Sequence, residues 1–142
     1  MIKYFAYGSN MSLEQMKKRC PQHKVVGQGT LHGYRWIINS RGYANIIQSE
    51  SDYVIGVVYE ISASDEACLD RKEGVAKGCY NKETLDISTG DAQITCIVYI
   101  DPIVTEGAPK EEYIGRIEDG IRDAKLPPDY VARYLRRFLN KQ

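Results

Sequence analysis

The sequence predicts an α+β domain built on a small mixed β-barrel of about six strands, with short helices at its periphery. Three observations predict it. The strand-like runs are of unequal length, glycines interrupt the longest of them as kinks that curl a sheet, and the few helical stretches do not alternate regularly with strands. No internal repeat, linker or low-complexity segment breaks the 142 residues, so one domain spanning residues 1–142 is expected.

Residues 2–7 (Ile-Lys-Tyr-Phe-Ala-Tyr) read as a strand, and Gly8-Ser9-Asn10 ends it in a polar loop. Ser12 followed by Gln15 is a capping-box signal for a short helix that stops before Pro21. Residues 25–40 are extended, with Gly27, Gly29 and Gly33 as bulges or bends. Further strands are expected over 43–48, 53–61, 79–87 and 92–100, the last two joined by a hairpin across Thr89-Gly90-Asp91. Between the strands at 53–61 and 79–87 lies a helix capped by Ser62 or Ser64 and stopped by Gly74, which puts Glu73 at its trailing end. After a loop at 102–109, Tyr113, Ile114, Ile117 and Ile121 mark an amphipathic helix. Leu126-Pro127-Pro128-Asp129 then turns into a last helix that points Val131, Tyr134, Leu135 and Phe138 inward. Arg133, Arg136, Arg137 and Lys141 fall mostly off that face and read as its solvated surface.

Composition excludes several classes. Lys plus Arg and Asp plus Glu both total 19, so nothing in the charge favours nucleic acid or an acidic membrane surface, and a small-molecule partner fits better. No apolar run approaches the ~20 residues of a membrane helix. Four scattered cysteines without a C-x-x-C pair, and an opening without a basic segment and long apolar stretch, lead us to expect a reduced, cytoplasmic protein. His23 and His32 lack the clustering of a zinc site, so no metal is expected.

Two constellations could carry chemistry. In Tyr7-Gly8-Ser9-Asn10, the missing side chain at Gly8 lets backbone N–H groups approach a ligand while Ser9 and Asn10 add polar side chains; the same residues would also make an ordinary strand-to-helix turn. Glu73 before Gly74 sits at the unfavourable end of a helix dipole for a carboxylate, which raises its pKa toward acid/base use. In isolation such a glutamate also fits a plain surface position. Tyr80, Tyr99 and Tyr113 could offer phenolic donors to a ligand carboxylate or simply pack. Ser9 is not in a G-x-S-x-G elbow and has no patterned histidine, which argues against a serine hydrolase.

Taken together, residues 4–11 (Tyr-Phe-Ala-Tyr-Gly-Ser-Asn-Met), Gly56-Val57-Val58-Tyr59, Leu69-Asp70-Arg71-Lys72-Glu73-Gly74 and Gly78-Cys79-Tyr80 resemble the gamma-glutamylcyclotransferase-like family in order and spacing. The closing segment, from Pro109 through Tyr113, Ile117, Gly120, Leu126-Pro127 and Tyr130, extends the resemblance over nearly the whole chain. It implies a mixed barrel whose cavity holds a gamma-glutamyl substrate, with no cofactor. It implies Glu73 as the catalytic carboxylate, Tyr7, Gly8, Ser9 and Asn10 as the binding loop, Ala44 and Asn45 at the pocket, and Tyr80, Tyr99 and Tyr113 as further contacts. The implied reaction closes a gamma-glutamyl amino acid or gamma-glutamylamine to 5-oxoproline, an intramolecular acyl transfer that expels an amine. Members of the family occur as monomers or dimers, and a homodimer is the expectation retained. The alternatives are a noncatalytic binding module on the same fold, and a small barrel binding nucleic acid, which the balanced charge disfavours.

Overall fold

A computed structural model describes residues 1–139 and shows five strands: β1 (Ile2–Ala6), β2 (Lys24–Ile38), β3 (Ala44–Ile61), β4 (Asn81–Thr89) and β5 (Ala92–Ile100). They close into a barrel in the order β1-β3-β2-β4-β5. Neighbours are antiparallel except at the seam, where β1 runs parallel to β5 with Tyr4 opposite Ile97. The mixed barrel is therefore as expected, with one strand fewer.

The missing strand is a merger. The runs at 43–48 and 53–61 form one 18-residue strand, β3, because Ser49-Glu50-Ser51-Asp52 stays extended instead of turning. Tyr34 pairs with Gln48 and His32 with Tyr53, so residues 49–52 bulge opposite Gly33, whose φ of 85° supplies the matching bend in β2. The Ser49 hydroxyl bonds the Asp52 carboxylate, and Tyr134 donates to Asp52 Oδ1 at 2.7 Å, which ties the bulge to the C-terminal helical segment. A second register shift lies between Val25 and Gly27, another of the three kinks expected in this strand, whereas Gly29 stays in regular register opposite Gly56. The β4–β5 hairpin closes over Gly90 and Asp91, with Thr89 opposite Ala92.

Just past the last β1–β3 pair, Ala6 opposite Val57, only glycine fits at position 56. A Cβ there would strike the Ala6 carbonyl oxygen and sit 3.0 Å from the Phe5 ring. Backbone cannot swing aside as a side chain does, so Gly56→Ala costs about 3 kcal/mol by forcing β1 off its neighbour. Chemical denaturation reads this as a lowered midpoint, and a midpoint unchanged from wild type would show that β1 can slide.

Helices cover the barrel. Helix α1 (Leu13–Arg19) starts where Ser12 accepts the Gln15 N–H. Helix α2 (Ala63–Lys72) begins with a complete capping box between Ser62 and Asp65. Helix α3 (Glu111–Ala124) buries Tyr113, Ile117 and Gly120, with Ile114 and Ile121 partly buried beside them. A short α4 (Pro128–Tyr130), a π-helical turn (Val131–Leu135) and α5 (Arg136–Leu139) form the last helical segment, with Val131, Tyr134 and Leu135 buried. Arg133, Arg136 and Arg137 lie at its surface in ion pairs with Asp52, Glu118 and Glu106. Lys141 lies outside the described residues. Among those residues no helix is long and apolar enough to cross a membrane.

Candidate active site

Beyond the end of β1 the chain enters a 3₁₀ turn (Ser9–Met11), and a cavity of about 250 Å³ opens between this turn, the end of α2 and the start of α3. The loop is fixed from several sides. Trp36 Nε1 donates to the Tyr7 carbonyl at 2.9 Å, and the Tyr7 hydroxyl donates to the Tyr99 carbonyl at 2.5 Å. Asn10 is held by its whole amide: Nδ2 donates to the Tyr4 hydroxyl at 2.9 Å, while Oδ1 accepts from Gln15 at 2.7 Å and Arg19 at 3.1 Å. Tyr59 donates to the Asn10 carbonyl at 2.8 Å. Asn10 therefore shapes the loop, and what the loop offers the cavity is chiefly backbone. The first N–H groups of a helical turn have no partner within it and turn to a side chain or a ligand oxygen; the Ser9 N–H meets the Tyr113 hydroxyl.

Gly8 is the close approach. A Cβ there would lie 3.1 Å from the Tyr113 hydroxyl and 3.2 Å from the Ala44 methyl, so glycine brings the loop, β3 and α3 together. Tyr113 accepts the Ala44 N–H at 3.2 Å, and its hydroxyl is pushed up to about 12 by burial, by the Glu73 charge among lesser causes.

Glu73 is the C-cap of α2, reached because the Glu73 N–H still bonds the Leu69 carbonyl at 2.8 Å before Gly74, at φ 64°, turns the chain away. Burial raises its pKa above the ordinary 4.5; Arg19 and Arg41 oppose the shift and Asp101 adds to it. The helix end acts in the same direction as burial. Both arginines have other bonds: Arg19 donates to Asn10 Oδ1, and Arg41 to Asp101 and the Cys79 carbonyl. They act on Glu73 as charges at range and leave its oxygens open to a ligand.

Burial first, and the Glu73 charge with it, raise the proton affinity of the Tyr4, Tyr7 and Tyr80 hydroxyls; the Tyr4 hydroxyl accepts from Asn10 and the Tyr7 hydroxyl donates to the Tyr99 carbonyl. Tyr80 reaches the cavity because β4 starts two residues later than the expected 79, leaving Cys79 and Tyr80 in the connection after a 3₁₀ turn (Val75–Lys77). Tyr99 lines the wall, but its hydroxyl donates to Asp70 Oδ1 at 2.6 Å, which pins α2 to β5. Asn45 is displaced from its expected place. It is fully buried behind the wall, where Nδ2 donates to the Asp101 and Ile103 carbonyls and Oδ1 accepts the Asp101 N–H. Successive strand residues face opposite ways, so Ala44 at the cavity excludes its neighbour.

Tyr7, Gly8, Ser9, Asn10, Ala44, Glu73, Tyr80, Tyr99 and Tyr113 thus meet around one cavity. The pattern of the AIG2-like family matches residues 53–134 of the chain. A gamma-glutamylcyclotransferase from Mus musculus is 33% identical over 141 residues, covering 89% of this chain and 73% of the relative. The chain belongs to the gamma-glutamylcyclotransferase-like family. The Homo sapiens gamma-glutamylcyclotransferase is 31% identical over 138 residues, with the same coverage of 89% and 73%. A solved gamma-glutamyl cyclotransferase superposes with a TM-score of 0.85 at 29% identity, over 93% of this chain and 85% of that one. YkqA from Bacillus subtilis gives the same TM-score of 0.85 at 28% identity, covering 99% of this chain and 54% of that one.

Sequence reasoning overlooked the cations. Arg19, Arg41, Lys72 and Arg116 all reach the cavity wall, against the single carboxylate of Glu73, and Tyr43 joins them. Each cation looks like ordinary surface charge locally, so no pattern in the sequence marks it. Among the described residues no group of three or more His, Cys, Asp or Glu side chains is placed to hold a metal ion. Burial pushes the Cys20 and Cys96 thiols up to about 12 and about 11, leaving them poor nucleophiles.

Proposed function

We propose that this chain is a gamma-glutamylcyclotransferase, which converts a gamma-glutamyl amide to 5-oxoproline and a free amine with Glu73 as the proton relay. The observation that carries the reading is the Glu73 carboxylate itself, half-buried on a capped helix end, with raised proton affinity, facing a small cavity beside the backbone of the 8–10 loop.

The substrate supplies its own nucleophile. Its α-amine attacks the γ-carbonyl, a ring C–N bond forms, and the C–N bond to the leaving amine breaks. Of the three protons on the α-ammonium, one stays on the lactam nitrogen and two end on the released amine, which departs as an ammonium. Glu73 carries them one at a time and returns to its carboxylate form. The loop N–H groups and the protonated phenols of Tyr80 and Tyr113 are suited to stabilise the carbonyl oxygen as charge develops on it. Holding the glutamyl chain folded brings the proximity advantage of an intramolecular reaction.

Incubation with a panel of gamma-glutamyl amino acids and gamma-glutamylamines, followed by mass spectrometry, tests the proposal. Equal amounts of 5-oxoproline and free amine are expected. Ligand binding across the panel without product would favour a noncatalytic binding module on the same fold.

A further inference from the structure

Tyr99 is tied at both ends. It lies buried on β5 at the cavity wall, directly opposite Lys82 of β4. The seam between β1 and β5 pairs at Tyr4 and Ile97; past that pair β1 stops at Ala6 while β5 runs on to Ile100. The Tyr99 carbonyl, two residues beyond the pair, accepts the Tyr7 hydroxyl at 2.5 Å, so a side chain stands where a ladder partner would otherwise come. The Tyr99 hydroxyl donates to Asp70 Oδ1 at 2.6 Å. Burial first, and the bond to Asp70 with it, raise the proton affinity of that hydroxyl, which keeps it a donor. Lys82, its partner across the two strands, adds bonds of 3.0 Å to Asp70 Oδ2 and 2.7 Å to Glu66 Oε2.

This grip falls one turn before the carboxylate. Asp70 precedes Glu73 by three residues on α2, and the Glu73 N–H closes the last turn on the Leu69 carbonyl at 2.8 Å. The start of α2 is held by its capping box and its middle by buried Leu69, and Asp70 ties its end to the barrel. Among the described residues no hydrogen bond or ion pair reaches the Glu73 carboxylate, so its place is set by the helix that carries it. The spacing between that helix end and the 8–10 loop therefore runs through one residue, whose carbonyl holds the residue before the loop and whose hydroxyl holds the helix.

We propose that Tyr99 is a positioning residue for the reaction: it sets the helix end that carries Glu73 against the 8–10 loop, and its hydroxyl is committed to Asp70 rather than to the substrate. This rests on the cyclotransferase reading, in which the carboxylate must meet first the α-nitrogen and then the leaving amine and loses rate when its helix end drifts.

Tyr99→Phe keeps the ring, its edge-on contact with Tyr4 at 5.8 Å and the carbonyl, and removes only the grip on Asp70. Amide exchange followed by NMR reads the helix end without any need for turnover. The Glu73 N–H exchanges about tenfold faster in Tyr99→Phe and in Asp70→Ala, while the paired amides of β1 and β3 keep their protection. In steady-state turnover of a gamma-glutamyl amino acid, Tyr99→Phe lowers kcat about tenfold and leaves KM within about twofold. Because Tyr99 acts through Asp70, adding Tyr99→Phe to Asp70→Ala costs less than about a further twofold, whereas a direct substrate contact would multiply the two losses. Asp70→Asn keeps an oxygen for the phenol to donate to, and restores most of the kcat that Asp70→Ala loses. Unchanged exchange at Glu73, unchanged kcat in a protein that does turn over, a loss that falls on KM, or losses that multiply overturns the assignment. Faster exchange at Glu73 with no 5-oxoproline from the wild type would remove the cyclotransferase reading and leave the helix end fixed by Tyr99.

Discussion

Glu73→Gln lowers kcat/KM for a gamma-glutamyl amide by about a thousandfold, the middle of the range for a positioned proton-transfer group. The substitution keeps the shape of the side chain and the αL stop at Gly74, and removes only the ability to take up and return a proton. KM therefore changes little and the loss falls on kcat. In the wild type, kcat/KM declines on the acid side as Glu73 becomes protonated and can no longer accept from the α-ammonium. Because burial raises its proton affinity, that limb lies above the ordinary 4.5. The same shift has a defined sign for stability. The folded state binds the Glu73 proton more tightly than the unfolded chain, so this group costs stability as pH rises through its folded pKa, and the cost disappears below the ordinary value. Glu73→Gln thus melts higher than wild type at neutral pH, and the difference closes as pH falls through the carboxylate range. Thermal denaturation along that pH series checks it; a variant that melts lower at neutral pH would mean that the carboxylate is held by favourable contacts.

Trp36→Ala lowers the unfolding free energy by about 4 kcal/mol, from lost burial and the cavity left behind. Trp36 is 1% exposed on β2 and packs edge-on to Phe138 at 5.9 Å, joining the barrel to the last helix. It also joins the core to the site. Its indole N–H holds the Tyr7 carbonyl, and without it a buried backbone acceptor loses its partner just where the 8–10 loop begins. Trp36→Phe separates the two roles: it retains most of the packing but frees the carbonyl, so it costs less stability and still raises KM. Denaturant unfolding of both variants alongside steady-state kinetics gives the comparison. A Trp36→Phe protein with unaltered KM would show that Tyr99 and Asn10 suffice to hold the loop.

Much of this was legible in the sequence because the deciding signals are local. Ser12 with Gln15, the Gly90 hairpin and Gly74 after Glu73 each fix a boundary through the chemistry of a few neighbouring residues. The continuity of β3 was not legible. Ser49-Glu50-Ser51-Asp52 has the composition of a turn, and what keeps it extended is a bulge opposite Gly33 and a bond from Tyr134, 82 positions away. The site divides in the same way. Glu73 and the 7–10 loop carry the family pattern, whereas Asn45 was misplaced by one step of strand alternation and Arg41 was overlooked. Its partner Asp101 lies 60 positions along the chain, and a long-range pair leaves no local trace.

In the proposed reaction the loop, the buried phenols and Glu73 all serve one claim: the atom that attacks the γ-carbonyl is the substrate's own α-nitrogen, not an oxygen from water. The measurement that tests it most directly is turnover of a gamma-glutamyl amino acid in heavy-oxygen water, with the products weighed by mass spectrometry. Unlabelled 5-oxoproline is the expected product, since ring closure incorporates no solvent oxygen. Glutamate carrying heavy oxygen in its γ-carboxylate would instead make the enzyme a hydrolase, with Glu73 activating water, and would contradict the account.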